Sequence, residues 1–192
     1  MAQILKEEIR TKIYNAALEE FFEKDYKSAT IRNISKKAGV STGLLYSYYK
    51  DKEALFEEIV KDVLKAFPNT LKVAEDDPSD AYESYNNIEK QGIIRLFDKR
   101  KEFIILVDKS AGTIYENYKN KIVDMMEEHI RTGMRENSSV ECDDVFFHIL
   151  ADNLFESITE VMRHFKSREW GIRMLDLIGQ QFFKGSVSFY KI

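Results

Sequence analysis

The segment from Thr30 to Lys52 constrains the fold of this chain more than any other part. It reads TIRNISKKAGVSTGLLYSYYKDK, and its spacing of polar and apolar residues predicts two short helices joined by a tight turn. Thr30 can cap the first helix, and Gly39 is the residue type that ends a helix in a left-handed conformation. Ser41 is a suitable N-cap for the second helix, on which Leu45 faces the apolar residues of the first. The segment therefore predicts a helix-turn-helix.

The side of the second helix opposite Leu45 carries small, polar and aromatic residues that a short helix has no packing reason to align. In a helix-turn-helix, this side enters the major groove of DNA. Positions 24–52 carry seven basic and two acidic residues, a net charge of +5, in a chain whose net charge is −4. A solvated helix face is the alternative origin of such a charge run. The turn and the residue types together favour double-stranded DNA as the partner.

A set of short motifs runs through residues 13–56. The motifs are AALEEF at 16–21, DY at 25–26, KAGVS at 37–41, GLLY at 43–46 and KE at 52–53. Together they resemble the N-terminal domain of TetR/AcrR-type transcriptional regulators. The resemblance implies a sequence-specific DNA-binding transcriptional regulator, most often a repressor.

Four residues depart from the family pattern, of which Ser35 and Tyr49 stand where alanine and phenylalanine are usual. Asp25 stands where the family usually has glycine, and an aspartate tolerates the left-handed conformation that a glycine would supply. Leu44 stands where threonine is common. Because that position faces the bases, Leu44 leaves the operator sequence open.

The resemblance also implies a set of DNA contacts. Thr42, Gly43 and Leu44 would approach base edges, and Gly43 would let the backbone come close. Arg32 would pair with a guanine in the major groove from outside the second helix. The residues expected to hold phosphates are Thr30, Ser41, Tyr46, Tyr48 and Lys52. For Tyr46 the alternative is a half-buried core position, and for Lys52 it is a solvated surface lysine.

The composition predicts an all-α protein, because the chain has two prolines, eight glycines and no strand-like alternation. We expect a helix-turn-helix DNA-binding domain at 1–50 and a connecting helix at 51–67 that ends before Pro68. A helical regulatory and dimerisation domain would follow at 68–192. Its first part, residues 68–80, predicts a loop or a broken helix, since it combines two prolines with an acidic run.

Several features argue against a secreted, membrane or catalytic protein. The single cysteine, Cys142, excludes a disulfide framework and favours a reducing, cytoplasmic location. No apolar stretch resembles a signal peptide or approaches the ~18 residues that a membrane span needs. None of the residues three positions before His129, His148 and His164 is the glutamate that a di-iron bundle requires. We therefore expect no enzyme activity, no cofactor and no metal site.

Two stretches near the C-terminus, 144–165 and 168–190, predict long helices with more apolar residues than one buried face needs. The surplus favours a homodimer in which two helices of each chain form a four-helix interface, as the family resemblance also implies. The expected interface residues are Phe146, Leu150, Leu154, Ile172, Leu175, Ile178 and Phe182. A dimer would present two reading helices to major grooves one helical turn apart, roughly 34–36 Å.

Aromatic and methionine side chains between residues 82 and 162 could line an adaptable apolar pocket. The candidates are Tyr82, Tyr85, Phe103, Tyr118, Met125, Phe147, Phe155 and Met162. Residues at such helical spacing are more often ordinary core. The resemblance implies a small apolar effector whose binding releases DNA. A sizeable internal pocket would favour that reading, whereas a fully packed interior would favour control by a protein partner or constitutive binding.

Overall fold

The computed structural model describes residues 2–75, 81–137 and 142–190, and this part of the chain contains helices and turns without a strand. The all-α prediction is confirmed. The chain divides into two compact units. The N-terminal unit comprises Met1–Leu64 and Lys101–Tyr118, and the C-terminal unit comprises Lys65–Arg100 and Lys119–Ile192.

The N-terminal unit is built on α1 (Ala2–Glu23), α2 (Ile31–Ala38), α3 (Thr42–Tyr46) and α4 (Lys52–Val60). Its apolar core is contributed by all four helices. The fully buried side chains include Ile13, Ala17, Phe21, Ile34, Leu45, Leu55 and Phe56. Because Leu45 is buried among these residues, the short α3 is anchored by a single large side chain.

The boundaries of α2, α3 and α4 are set by local hydrogen bonds. The side chains of Thr30, Ser41 and Asp51 each accept a hydrogen bond from the backbone amide three residues further along, at 3.2, 3.1 and 2.8 Å. Gly39 ends α2 with a φ of +69°, the left-handed conformation that glycine adopts without strain. The helix-turn-helix predicted from the sequence is therefore present with its expected caps.

Asp25 does not use the left-handed conformation that a glycine would supply. Among the described residues, positive φ angles occur only at glycines. The Asp25 carboxylate instead accepts a hydrogen bond from the amide of Ser28 at 2.6 Å, and its carbonyl oxygen accepts one from the amide of Ala29 at 3.0 Å. These two bonds close the turn between α1 and α2.

The prediction of one connecting helix over 51–67 is wrong. The helix α4 ends at Val60, a 3₁₀ turn follows at Val63–Lys65, and α5 (Ala66–Glu75) begins directly after it. Pro68 therefore lies in the first turn of α5, where its missing amide hydrogen leaves no intrahelical bond unmade.

Of the two alternatives for residues 68–80, a loop or a broken helix, the loop is wrong for residues 68–75, which are helical. Residues 76–80 lie outside the described part of the chain. From residue 81 the chain is helical as far as Asp108, in five consecutive pieces. These are α6 (Ala81–Ser84), a π-helical turn (Tyr85–Glu89), α7 (Lys90–Arg95), a 3₁₀ turn (Leu96–Lys99) and α8 (Arg100–Asp108).

Residues 101–118 pack with the N-terminal unit, although the domain boundary expected from the sequence assigns them to the regulatory domain. The Tyr14 hydroxyl donates a hydrogen bond to the carboxylate of Glu102 at 3.1 Å. Further along, the amide of Tyr26 donates to the carbonyl oxygen of Lys109 at 3.0 Å. The loop before α2 is thereby bonded to the end of α8.

The C-terminal unit also contains α9 (Tyr118–Asn137, beginning at the unit boundary), α10 (Asp144–Arg163) and α11 (Arg168–Tyr190). In this unit the buried Tyr85 hydroxyl donates to the carbonyl oxygen of Leu175 at 2.9 Å. A Cβ placed on Gly179 would lie 2.3 Å from the Tyr85 ring, so this ring requires glycine at position 179. None of the helices in the described residues is long and apolar enough to cross a bilayer.

Candidate nucleic-acid interface

The outward side of α3 is a continuous exposed surface. Leu45 is fully buried, whereas Thr42 and Gly43 are exposed, Leu44 is 37% exposed and Tyr46 is 50% exposed. A Cβ placed on Gly43 would meet no atom within 4 Å. The exposure of Tyr46 argues against the half-buried core position that was its alternative. This surface is available to a partner.

Two of the expected phosphate-binding hydroxyls have a hydrogen left to donate. The oxygens of Thr30 and Ser41 accept the capping bonds at the starts of α2 and α3, and both residues are exposed. A hydroxyl that accepts a hydrogen bond still carries its own donor hydrogen. Each of these caps can therefore donate to an anion without losing its structural role.

The nine predicted DNA-contacting residues all lie in the N-terminal unit, between the turn before α2 and the start of α4. Seven of them are exposed, and two are half-buried. The exposed residues are Thr30, Arg32, Ser41, Thr42, Gly43, Leu44 and Tyr46, and the half-buried residues are Tyr48 and Lys52. Arg32 lies in the first turn of α2, with an exposed guanidinium.

The Lys52 ammonium has internal partners, which the sequence did not indicate. It donates hydrogen bonds to the carbonyl oxygens of Tyr26 at 2.7 Å and Ala29 at 3.1 Å, and it lies 4.2 Å from the centre of the Tyr26 ring. Burial lowers the pKa of Lys52 from its ordinary value. Two of its three N–H groups are thus engaged, and Lys52 links the N-terminus of α4 to the loop before α2.

Glu20 has a structural role in this unit that its position in the sequence did not reveal. Its side chain is 1% exposed, and it accepts hydrogen bonds from Lys24 at 2.8 Å and from Asn33 at 3.1 Å, beside an ion pair with Lys37 at 2.9 Å. Burial alone would raise the pKa of Glu20, but these hydrogen bonds outweigh it and lower the pKa to about 2. The sequence signal for this buried carboxylate was a glutamate among the apolar residues of α1, three residues after Ala17.

These pairings reduce the positive charge that the N-terminal unit presents to solvent. Lys24 and Lys37 both pair with Glu20, and Lys37 also pairs with Glu23 at 2.6 Å, so two carboxylates offset these two lysines. The ammonium of Lys52 is half-buried. The exposed cations between positions 24 and 52 include Lys27, Arg32, Lys36 and Lys50. The net charge of +5 counted along the sequence therefore overstates the charge available to phosphates.

The predicted effector residues do not form one pocket. Phe103 and Tyr118 belong to the N-terminal unit, and Met125 is exposed. The C-terminal unit has a mainly apolar cavity of about 30 Å³, of whose lining Tyr85 is the one predicted member. Tyr82 packs against Phe183 instead. The buried residues Phe147, Phe155 and Met162 lie in the core of the C-terminal unit.

The cavity is lined by α5, the π-helical turn, α7, the 3₁₀ turn after it, α9 and α10. Its polar lining groups are Thr70 and Glu89, and the apolar ones include Phe67, Leu71 and Met126. An open groove of about 470 Å³ runs along α5 and α7 in the same unit. A space of 30 Å³ is close to the volume of one water molecule.

Leu154 and Leu175 were expected at the dimer interface, but both are buried within their own C-terminal unit. The reason is that α10 and α11 pack on one another and on neighbouring helices, which uses one apolar face of each. The other five predicted interface residues, Phe146, Leu150, Ile172, Ile178 and Phe182, are partly exposed in the single chain. Among the large apolar side chains described on α10 and α11, the most exposed are ones that the prediction omitted, Val145, Ile149 and Leu177, at 58%, 47% and 53%.

Residues 13–59 match the family described as bacterial regulatory proteins, tetR family. The chain is 41% identical over 67 residues to the HTH-type transcriptional regulator HbdR of Aromatoleum sp. (strain CIB), a stretch covering 35% of this chain and 29% of HbdR. It is 39% identical over 54 residues to the HTH-type transcriptional regulator BetI of Escherichia coli, covering 28% of each protein. The matched stretches therefore span less than a third of these relatives.

Solved structures resemble the chain over nearly its full length. NalD, the secondary repressor of the MexAB-OprM multidrug efflux pump in Pseudomonas aeruginosa, has a TM-score of 0.66 at 20% identity, covering 94% of this chain and 96% of that one. The fatty acid degradation regulator FadR from Bacillus halodurans has a TM-score of 0.63 at 19% identity, covering 92% and 95%. At these identities the likeness shows a shared fold. Together with the capped helix-turn-helix and the motifs that it carries, the match places residues 13–59 in the tetR family of bacterial regulatory proteins.

Proposed function

We propose that this chain is a sequence-specific DNA-binding transcriptional regulator that places α3 in the major groove. The observation that carries the proposal is the division of α3 into two sides. Leu45 anchors the helix in the core, while Thr42, Gly43 and Leu44 are exposed to solvent. A five-residue helix that packs against the core on one side and is exposed on the other can place its exposed side against base edges.

The residues around α3 divide into one group that can bind phosphates and another that can contact bases. Thr30 and Ser41 keep donor hydrogens for phosphates at the starts of α2 and α3. Arg32 presents a guanidinium that can form two hydrogen bonds with a guanine. The phosphate contacts would fix the register of the helix, and the base contacts would select the sequence.

A homodimer would supply the second reading helix. The apolar residues of α10 and α11 that remain exposed in a single chain, with Val145, Ile149 and Leu177 most exposed, support this assembly. Val145 and Ile149 are four residues apart on α10 and therefore lie on one face of it, and neighbouring exposed apolar residues can form an interaction surface. The change Ile149→Glu should produce monomers in sedimentation experiments and weaken DNA binding, while leaving the circular dichroism spectrum unchanged.

We propose repression relieved by a small apolar effector as the mode of control. The supports are the apolar lining of the 30 Å³ cavity and two structural neighbours, of which one is named a repressor and the other a regulator of fatty acid degradation. Because the cavity holds about one water molecule, an effector would have to open the helices around Tyr85. The small volume favours a second candidate, a DNA-binding regulator controlled by a protein partner or active without an effector.

A mobility-shift experiment tests the proposal in two stages. The first selects DNA from a random pool with the purified protein, then measures affinity for the selected site across a salt series. Salt-sensitive binding to a palindromic site is the expected result, and the absence of any selected sequence would refute DNA-binding regulation. The second stage adds a panel of apolar compounds. Release by one compound class supports the effector, whereas release by none supports the second candidate.

A further inference from the structure

We propose that Leu44 reads the methyl group of a thymine, so that each operator half-site carries a T·A pair opposite this residue. The inference rests on the proposed function, because it assumes that α3 lies in the major groove. It adds a specific base and a specific chemical group to that function. It also gives a role to the residue that departs from the threonine common at this position.

Leu44 is not a core residue. The adjacent Leu45 is fully buried and supplies the contact that holds α3 to the N-terminal unit, while Leu44 remains 37% exposed. Consecutive residues on a helix face directions about 100° apart, so the two leucines have different environments. Exposing a leucine to water without a partner costs free energy that a threonine at this position would not.

The hydroxyl groups nearest to Leu44 along the helix are bonded to its own backbone. The Ser41 oxygen accepts a hydrogen bond from the Leu44 amide at 3.1 Å, and the Ser47 hydroxyl donates to the Leu44 carbonyl oxygen at 2.7 Å. Both backbone groups of Leu44 are therefore satisfied. The groups that Leu44 offers to a partner are its side-chain methyls.

The chemistry of the major groove then limits what Leu44 can read. Base pairs present hydrogen-bond donors and acceptors there, and thymine adds an apolar C5 methyl group. Leucine has no donor or acceptor in its side chain, so burying it against a polar base edge would leave that edge unsatisfied. Gly43, the residue before Leu44, has no side chain, and no atom lies within 4 Å of where its Cβ would be. The backbone can thus come close enough for Leu44 to reach the methyl.

The test removes one methyl group at a time from the DNA. Each thymine of the selected operator is replaced by deoxyuridine, symmetrically in both half-sites, and the affinity of the wild-type protein is measured. One buried methyl group contributes about fourfold, so one symmetric position should weaken binding by about fifteenfold and the others much less. The variant Leu44→Ala should bind thymine and deoxyuridine operators equally. Leu44→Met should keep the discrimination, because it retains an apolar side chain of similar volume.

A matched control separates this effect from general loss of apolar surface. Ile114→Ala removes an exposed apolar side chain from the N-terminal unit outside the helix-turn-helix, and it should keep the full deoxyuridine effect. The inference is overturned if no deoxyuridine position weakens wild-type binding, or if Leu44→Ala shows the same deoxyuridine effect as the wild type. A protein that selects no DNA at all would instead refute the proposed function and this inference together.

Discussion

The Lys37 ammonium of α2 lies 2.9 Å from the Glu20 carboxylate of α1, and that carboxylate is almost fully buried. Asn33 of α2 donates to the same carboxylate at 3.1 Å. One acidic side chain therefore fixes the first helix of the helix-turn-helix against α1. Because α3 follows α2 after a tight turn, this bond network also determines where the exposed side of α3 lies.

Glu20→Gln should destabilise the protein strongly at neutral pH. The pKa of Glu20 is lowered from 4.5 to about 2 in the folded chain, which corresponds to roughly 3 kcal/mol of unfolding free energy at about 1.4 kcal/mol per pKa unit. A lowered folded-state pKa stabilises above the unfolded value, so this contribution is complete above about pH 4.5 and is lost as the pH falls towards 2. Urea unfolding at pH 7 and pH 3 measures both effects.

Glu23→Gln is the control for this prediction. Glu23 also pairs with Lys37, at 2.6 Å, but its side chain is exposed. An exposed ion pair contributes about 0–1 kcal/mol, so this variant should change stability little. Equal effects of the two substitutions would show that the buried carboxylate is not the stabilising partner.

Gly43→Ala should lower the DNA affinity without lowering the stability of the protein. The added methyl group meets no atom of the protein within 4 Å, and alanine favours a helix over glycine by about 0.5–1 kcal/mol. The variant should therefore be as stable as the wild type or more so. Its DNA affinity should fall at least about tenfold, since the methyl group would occupy space needed for close approach of the backbone to base edges.

Gly133→Ala provides a comparison within α9 of the C-terminal unit, where an added Cβ also meets no atom within 4 Å. It should gain similar stability and keep full DNA affinity. Thermal unfolding and mobility-shift titrations on both variants give the result. If Gly43→Ala binds DNA as tightly as Gly133→Ala, close backbone approach at position 43 is excluded.

Lys52→Ala should weaken both the fold and the DNA complex. The loss of two hydrogen bonds from a charged donor to the carbonyl oxygens of Tyr26 and Ala29 should cost about 2 kcal/mol of unfolding free energy. If the third N–H group holds a phosphate, the slope of log affinity against log salt should flatten by about 0.9. The weakening should be equal for all operator sequences, because phosphates carry no sequence information.

Lys72→Ala removes the same charge from an exposed position on α5. It should alter neither the stability nor the salt slope by a measurable amount. A Lys52 variant that is destabilised but keeps the wild-type salt slope would show that the lysine acts only inside the protein.

Gly179→Ala should destabilise the C-terminal unit by about 1–3 kcal/mol, the usual cost of overpacking a core. Its Cβ would lie 2.3 Å from the buried ring of Tyr85, whose hydroxyl is already fixed by the carbonyl oxygen of Leu175. Gly185→Ala, on the same helix with open space around its Cβ, should have no such cost. Similar melting temperatures for the two variants would contradict the assigned contact between Gly179 and Tyr85.

The features of the fold that could be predicted from the sequence depend on residues that are close together along the chain. Thr30 and Ser41 each cap a helix through the amide three residues away, and Gly39 ends α2 through its own left-handed backbone. The burial of Leu45 follows from the apolar spacing of two adjacent helices. Such interactions span only a few residues, so residue type and spacing were enough to predict them.

Other features depended on residues far apart in sequence. Lys37 meets Glu20 seventeen positions away, and Lys52 meets the carbonyl oxygen of Tyr26 twenty-six positions away. Neither pairing has a periodic signature. For this reason the charge count along the sequence treated both lysines as available to DNA, although in the folded chain they bind internal partners.

Apolar periodicity also cannot specify what covers an apolar face. It correctly placed long helices near residues 144 and 168, but it assigned Leu154 and Leu175 to a contact between chains. The tertiary structure buries both within one chain. Burial is a property of the assembled neighbours, because a leucine loses its contact with water equally well against its own chain or another. Residue types and their spacing specified which side chains had to leave water, and the packing of the helices selected the partner that each one met.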